Sequence, residues 1–160
     1  MTAPNYTQPT TALITGASSG IGRELALMFA HQGHNLVLVA RNQTRLKALA
    51  DQIRRDTAVE AKVLLQDLAL PDAADQLMEK LAAKSLTIDM LVNNAGLITY
   101  GEFAETDWDR EQSMIQVNMV ALTALTKRLL PGMLDRGFGK IMNIASVGAF
   151  APSPYNAIYS

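Results

Sequence analysis

The chain has 160 residues, 14 basic against 15 acidic side chains, 49% apolar and 18% charged residues, and no cysteine. That length suits one domain with a sizeable core, and the balance is that of a soluble globular protein. Disulfides, thiolate metal sites and a cysteine nucleophile are excluded, and no basic or aromatic-interleaved patch points to nucleic acid or to a membrane surface.

Residues 1–10 (MTAPNYTQPT) are polar, hold two prolines, and lack the basic start and apolar run of a signal peptide. They read as a flexible arm ahead of one domain over 11–160. No apolar run approaches transmembrane length, so the cytoplasm is the expected location. Strands are predicted at Thr11–Thr15, Asn35–Ala40, Ala61–Gln66, Asp89–Asn94 and Lys140–Ser146. All are short and nearly continuously apolar, as when helices cover both faces of a sheet. The first helix carries Ile21, Leu25, Met28 and Phe29 on its inward face and ends at Gly33, with His31 and His34 as solvated residues at that end. A second starts near Asn42, with Leu46, Leu49 and Ile53 inward. A third has Pro71 in its first turn and Leu77, Met78 and Leu81 inward. Thr106 with Asp109 makes a capping-box start for a long fourth helix, which runs past Asn118 toward Pro131 and ends near Gly137. This alternation predicts an α/β fold: a Rossmann-like doubly wound parallel sheet of about five strands, with a ligand at their carboxyl ends.

TGASSGIG (Thr15–Gly22) joins the first strand to the first helix. Gly16, Gly20 and Gly22 let bare backbone, with Ser18, Ser19 and Ile21 between them, approach a pyrophosphate at the free N–H groups of the helix. No Lys follows in the manner of a triphosphate loop. At the end of the second strand an NAD site would place an acid on the ribose 2′-hydroxyl; here stand Ala40 and Arg41. A guanidinium binds a 2′-phosphate that a carboxylate would repel, so NADP(H) is favoured over NAD(H), with Ser18 and Arg41 as phosphate contacts. NNAG (Asn93–Gly96) closes the fourth strand, where Asn94 can tie strand ends together and Gly96 lets a ribose near the main chain at Ala95. Ser146 ends the fifth strand, where a hydroxyl can polarise a substrate carbonyl. A serine hydrolase is a poor alternative, since no G-x-S-x-G elbow exists.

The T-G-x-x-x-G-x-G spacing and the complete N-N-A-G resemble the short-chain dehydrogenase/reductase family, over essentially all of residues 11–160. The resemblance implies that Asp67 and Leu68 contact the adenine, although a plain surface carboxylate accounts for Asp67 equally well. It implies that Asn118 helps to hold a proton-relay water. In the family a catalytic Tyr follows the Ser by about a dozen residues; Tyr159 stands 13 after Ser146 and Tyr155 only 9 after it. The catalytic set is then Asn118, Ser146 and Tyr159. The implied chemistry is hydride transfer between NADP(H) and a small-molecule carbonyl or alcohol, with Tyr159 exchanging the proton. A free phenol titrates at about 10, so positive charge must stabilise the phenolate. In the family a Lys four residues after the Tyr does so, and here it would fall at position 163.

The further C-terminal strands and helices of the family are likewise expected to be missing. The sequence therefore reads as the N-terminal portion of a family member, inactive by itself and with its fifth strand left as an exposed apolar edge. A non-catalytic dinucleotide-binding or regulatory module is the alternative on the same fold, and it would not need the Asn118, Ser146 and Tyr159 set. Isomerase or dehydratase chemistry goes more often with T-G-x-x-G-x-x-G, which does not stand here. Tyr100 and Phe103 are candidate substrate contacts, and either could equally be core or interface. The resemblance implies a homodimer or homotetramer for the full-length protein.

Overall fold

The computed structural model describes residues 10–151 and 153–160. The expected arm lies outside the described residues over 1–9. Thr10 is no part of an arm: it is buried, its carbonyl accepts from Asn35 N at 2.9 Å, and its hydroxyl is hydrogen-bonded to His34 Nδ1 at 2.7 Å.

Five strands form: β1 (Thr11–Thr15), β2 (Asn35–Ala40), β3 (Ala61–Leu65), β4 (Met90–Asn93) and β5 (Lys140–Asn143). They pair in parallel in one sheet of order β3-β2-β1-β4-β5. Successive residues of a strand feed opposite cores. Leu13, Val37 and Leu91 pack with Leu77, Leu81 and Leu125, while Ile14, Leu38 and Val92 pack with Ala26, Leu46 and Ile53. In β1, β2 and β4, whose two faces are covered, the inner positions must be apolar, which explains the continuous runs. β1 and β2 match their expected bounds, β3 loses one end residue and β4 one at each end. β5 stops well short of Ser146, because Ser146 instead opens a 3-10 turn at Val147–Phe150. β5 pairs only with β4 among the described residues, and Ile141 and Met142 are exposed on this sheet edge.

The helices are α1 (Gly20–His31), α2 (Gln43–Asp56), α3 (Ala73–Ala83), α4 (Trp108–Ile115) and α5 (Leu122–Asp135), with a π-helical segment, Gln116–Ala121, joining the last two. The inward face expected for α1 holds only at Leu25 and Phe29, which pack against the core, and fails at Ile21 and Met28. Ile21 and Met28 are 61% and 57% exposed and Leu25 and Phe29 half-buried, whereas Gly22, Ala26 and Ala30 are buried. Small residues spaced by four let the helix axis approach the sheet closely, so bulky side chains are pushed to its flanks. α2 follows the expectation, with Asn42 as its cap and Leu46, Leu49 and Ile53 buried. Pro71 lies in the turn before Asp72, which opens α3; Leu77 and Leu81 are buried and Met78 half-buried.

The α4 cap sits one residue later than expected. Asp107, not Thr106, accepts from Asp109 N and Arg110 N, at 2.8 and 3.3 Å, while the Thr106 hydroxyl turns to buried Glu111 at 2.5 Å. α5 continues through Pro131 and stops before Gly137, whose φ is +63°. Arg128 on α5 holds Asp75 on α3 in a two-pronged contact of 2.7 and 2.8 Å. His34 is not a solvated end residue: it is half-buried, with its ring 5.5 Å from Phe29. His31 is exposed, its Nδ1 bonded to Leu27 O at 2.7 Å. No helix among the described residues is long and apolar enough to cross a membrane.

Candidate functional site at the sheet switch point

Strand order reverses at β1, since β2 lies on one side of it and β4 on the other. Loops leaving the two strands diverge there and open a crevice at their carboxyl ends. Thr15, the last residue of β1, organises its floor. Its buried hydroxyl donates to Val92 O at 3.2 Å and accepts from Asn94 N and Ala95 N, each at 3.0 Å. Asn94 Nδ2 returns a hydrogen bond to Thr15 O at 2.9 Å. One hydroxyl and one amide thus lock the β1 turn to the β4 turn.

The glycine turn depends on this closeness. Gly16 has φ +67°, and a Cβ on it would stand 2.8 Å from Asn94 Nδ2 and 2.9 Å from Ala95 Cα. At Gly22 the obstacle is backbone: a Cβ would fall 2.5 Å from Gly16 O and closer still to Asn94 Nδ2. Nothing but glycine fits either place. Ser19 occupies the N-cap of α1 in extended conformation, yet its side chain makes no capping bond, whereas Asn42 and Asp107 cap their helices. The first-turn N–H groups of α1 have no side-chain cap and are available to an anion. A cradle closed by glycines and bounded by free donors fits a pyrophosphate.

A cavity of about 360 Å³ opens from this turn. Gly16, Ser18, Ser19, Arg41, Asp67, Leu68, Ala95 and Gly96 line it, as the sequence leads one to expect of cofactor-binding residues. Gly20, Ile21, Gly22 and Asn94 do not; Gly22 and Asn94 pack behind the turn, and Gly20 and Ile21 are exposed. Arg45, Gln66, Leu97 and Val117 line the cavity without having been anticipated. Arg45 stands in the first turn of α2, four residues after Arg41; nothing local marks Gln66, which is buried with its side chain bonded to Gln76 and Lys80 on α3. Arg41 Nη1 lies 3.8 Å from Asp67 Oδ2, an exposed and weak pairing. Leu68 is buried, and Asp67 Oδ1 accepts from Ala69 N at 3.0 Å, which holds its turn.

Asn118 sits within the π-helical segment, an irregularity frequent at functional sites. Its Oδ1 accepts from Leu97 N at 2.9 Å and its Nδ2 donates to Leu97 O at 2.8 Å. The side chain therefore acts as an extra strand partner for the backbone just after Gly96. Ser146 Oγ accepts from Gly148 N at 3.1 Å. A Cβ on Gly148 would stand 3.4 Å from Ser146 Oγ and 3.2 Å from Tyr159 Cε1, so both residues border this glycine. No hydrogen bond joins Asn118 to either of them among the described residues. Tyr155 is turned away to Tyr100, with ring centroids 5.4 Å apart, and its carbonyl accepts from Gly101 N at 3.0 Å. Tyr100 and Phe103 are 69% and 65% exposed, so neither is core.

A parallel sheet of this order with a glycine turn at its switch point defines a Rossmann-like, doubly wound α/β protein. The chain belongs to the short chain dehydrogenase family, whose family model matches residues 10–160. It is 40% identical over 155 residues to a very-long-chain 3-oxoacyl-CoA reductase of Phaeosphaeria nodorum, covering 94% of this chain and 46% of that protein. Among solved structures it resembles a short-chain dehydrogenase from Sphingobium yanoikuyae in complex with NADPH, with TM-score 0.86 and 41% identity, covering 94% of this chain and 59% of that one. It also resembles the bulky-bulky ketone specific alcohol dehydrogenase from Comamonas testosteroni, with TM-score 0.88 and 38% identity, covering 96% and 61% of the two chains. The chain spans about half the length of the curated relatives it matches.

Proposed function

We propose that the protein is an NADP(H)-dependent oxidoreductase acting on a small-molecule carbonyl or alcohol. The observation that carries this reading is the single cavity running from the glycine turn past Arg41 to Gly96 and Leu97. When bound there, the nicotinamide cofactor supplies or accepts the hydride. Gly16, Ser19 and the uncapped first turn of α1 hold the pyrophosphate, and Leu68 with Asp67 bounds the adenine. Ser18 and Arg41 meet the 2′-phosphate. Ser146 donates to the carbonyl oxygen as charge develops on it, and Tyr159 exchanges the proton. Asn118 keeps one N–H and one lone pair beyond its Leu97 bonds, enough to hold a relay water. The NADPH complex of one relative and the ketone and 3-oxoacyl substrates in the names of the others agree with this reading.

The test uses the full-length protein. NADPH binding is titrated by fluorescence, and turnover is followed at the nicotinamide absorbance over a panel of ketones. Tyr159→Phe should lower kcat by about 10²-fold or more while leaving the NADPH Kd within twofold, since general acid–base catalysis is worth about that much. Absence of NADPH binding, or a Tyr159→Phe variant with unimpaired kcat, would sink the proposal. Binding without turnover of any carbonyl would favour the non-catalytic module instead.

A further inference from the structure

The Arg45 side chain is exposed and holds no other described part of the fold by a polar bond. The residue stands in the first turn of α2, where its backbone is pinned by a 2.9 Å hydrogen bond from its N–H to Asn42 Oδ1. Its guanidinium makes no hydrogen bond or ion pair with any described residue. Helical side chains lean toward the helix N-terminus, and this lean carries Arg45 back toward the β2–α2 turn that bears Arg41. Both arginines line the same cavity, as does Ser18. The one carboxylate on that lining is Asp67, already 3.8 Å from Arg41, so this end of the cavity keeps an excess of positive charge. A cation in a first turn opposes the helix dipole, and no acid in the first turn of α2 offsets it. The position costs helix stability and makes no compensating contact within the chain.

We infer that Arg45 is a second specificity-determining residue, which with Arg41 forms a two-guanidinium clasp on the 2′-phosphate of NADP(H). The inference rests on the NADP(H) reading above. A dianionic phosphate set between two planar forks offers acceptors to both, and Ala40 leaves no acid to repel it.

The experiment titrates full-length wild type, Arg45→Gln, Arg45→Lys and Arg45→Glu with NADPH and NADH. The same proteins are titrated with adenosine 2′,5′-bisphosphate and adenosine 5′-monophosphate, which isolate the 2′-phosphate from the rest of the cofactor. Arg45→Gln should weaken NADPH and the bisphosphate by about tenfold or more, the worth of a charge-assisted hydrogen bond, while NADH and the monophosphate stay within twofold. Arg45→Lys should keep part of the preference and Arg45→Glu should invert it. Because a first-turn cation is removed, Tm should hold or rise. If Arg45→Gln weakens NADPH and NADH alike, or weakens neither in a protein that prefers NADPH, the assignment of Arg45 is overturned and the NADP(H) reading stands. A wild type with no preference for NADPH overturns both.

Discussion

Replacing Thr15 by Val keeps the shape and β-branching of a strand residue and removes only the hydroxyl. Val has the higher strand propensity, so any loss of stability must come from hydrogen bonding. The hydroxyl serves three backbone groups: it donates to Val92 O and accepts from Asn94 N and Ala95 N. Thr15 is only 1% exposed, so water cannot take its place. Two backbone N–H groups are left without their partner, at about 1–2 kcal/mol each, for a total of about 2–4 kcal/mol. In a domain of this size that corresponds to a fall in Tm of roughly 5–15 °C. Thr15→Ser keeps the hydroxyl, loses one methyl, and should cost about 1 kcal/mol. Thermal unfolding of the full-length protein, followed by circular dichroism, ranks the three. If Thr15→Val proves as stable as Thr15→Ser, Thr15 is not the hub that locks the two turns, and the reasoning fails.

Asn118→Ala frees both backbone groups of Leu97 and should cost about 1–3 kcal/mol, read as faster hydrogen exchange at the Leu97 amide. Gly22→Ala drives a Cβ onto Gly16 O, which is backbone and cannot swing aside. Cofactor affinity should fall by an order of magnitude or more as the turn is displaced, and a binding titration that matches wild type would contradict this. The His34 imidazole is held below its ordinary value by partial burial, with the charge of Lys140 adding to the effect. Its folded state thus binds a proton less readily than the unfolded chain. Stability is complete above the unfolded value of about 6.5 and declines as the pH falls through it. His34→Gln keeps a partner for Thr10 and should flatten the Tm profile between about pH 5 and 7.

Strands β1 to β4, the helix order and the glycine turn were legible in the sequence, because each is written in local pattern. A strand covered on both faces has to be apolar at its inner positions, and Gly16 at φ +67° has to be glycine whatever surrounds it. NNAG, Ser146 and Tyr159 were picked out by wording and spacing alone, without knowledge of what they touch. Contacts between residues far apart in the chain were decided only by the tertiary structure. The inward face of α1 is legible only in part: Leu25 and Phe29 pack against the core, but periodicity weighs side chains by apolar bulk, whereas the packing selects the small residues Gly22, Ala26 and Ala30 for close approach. Thr15 looked like the last residue of a strand until β4 came beside it and brought the Asn94 and Ala95 amides within reach. Arg45 carries no mark in the sequence that sets it apart from other helix residues; the start of α2 sets it on the same cavity as Arg41. Ser146 and Tyr159, well separated in sequence, both come close to Gly148, which only the folded loop reveals.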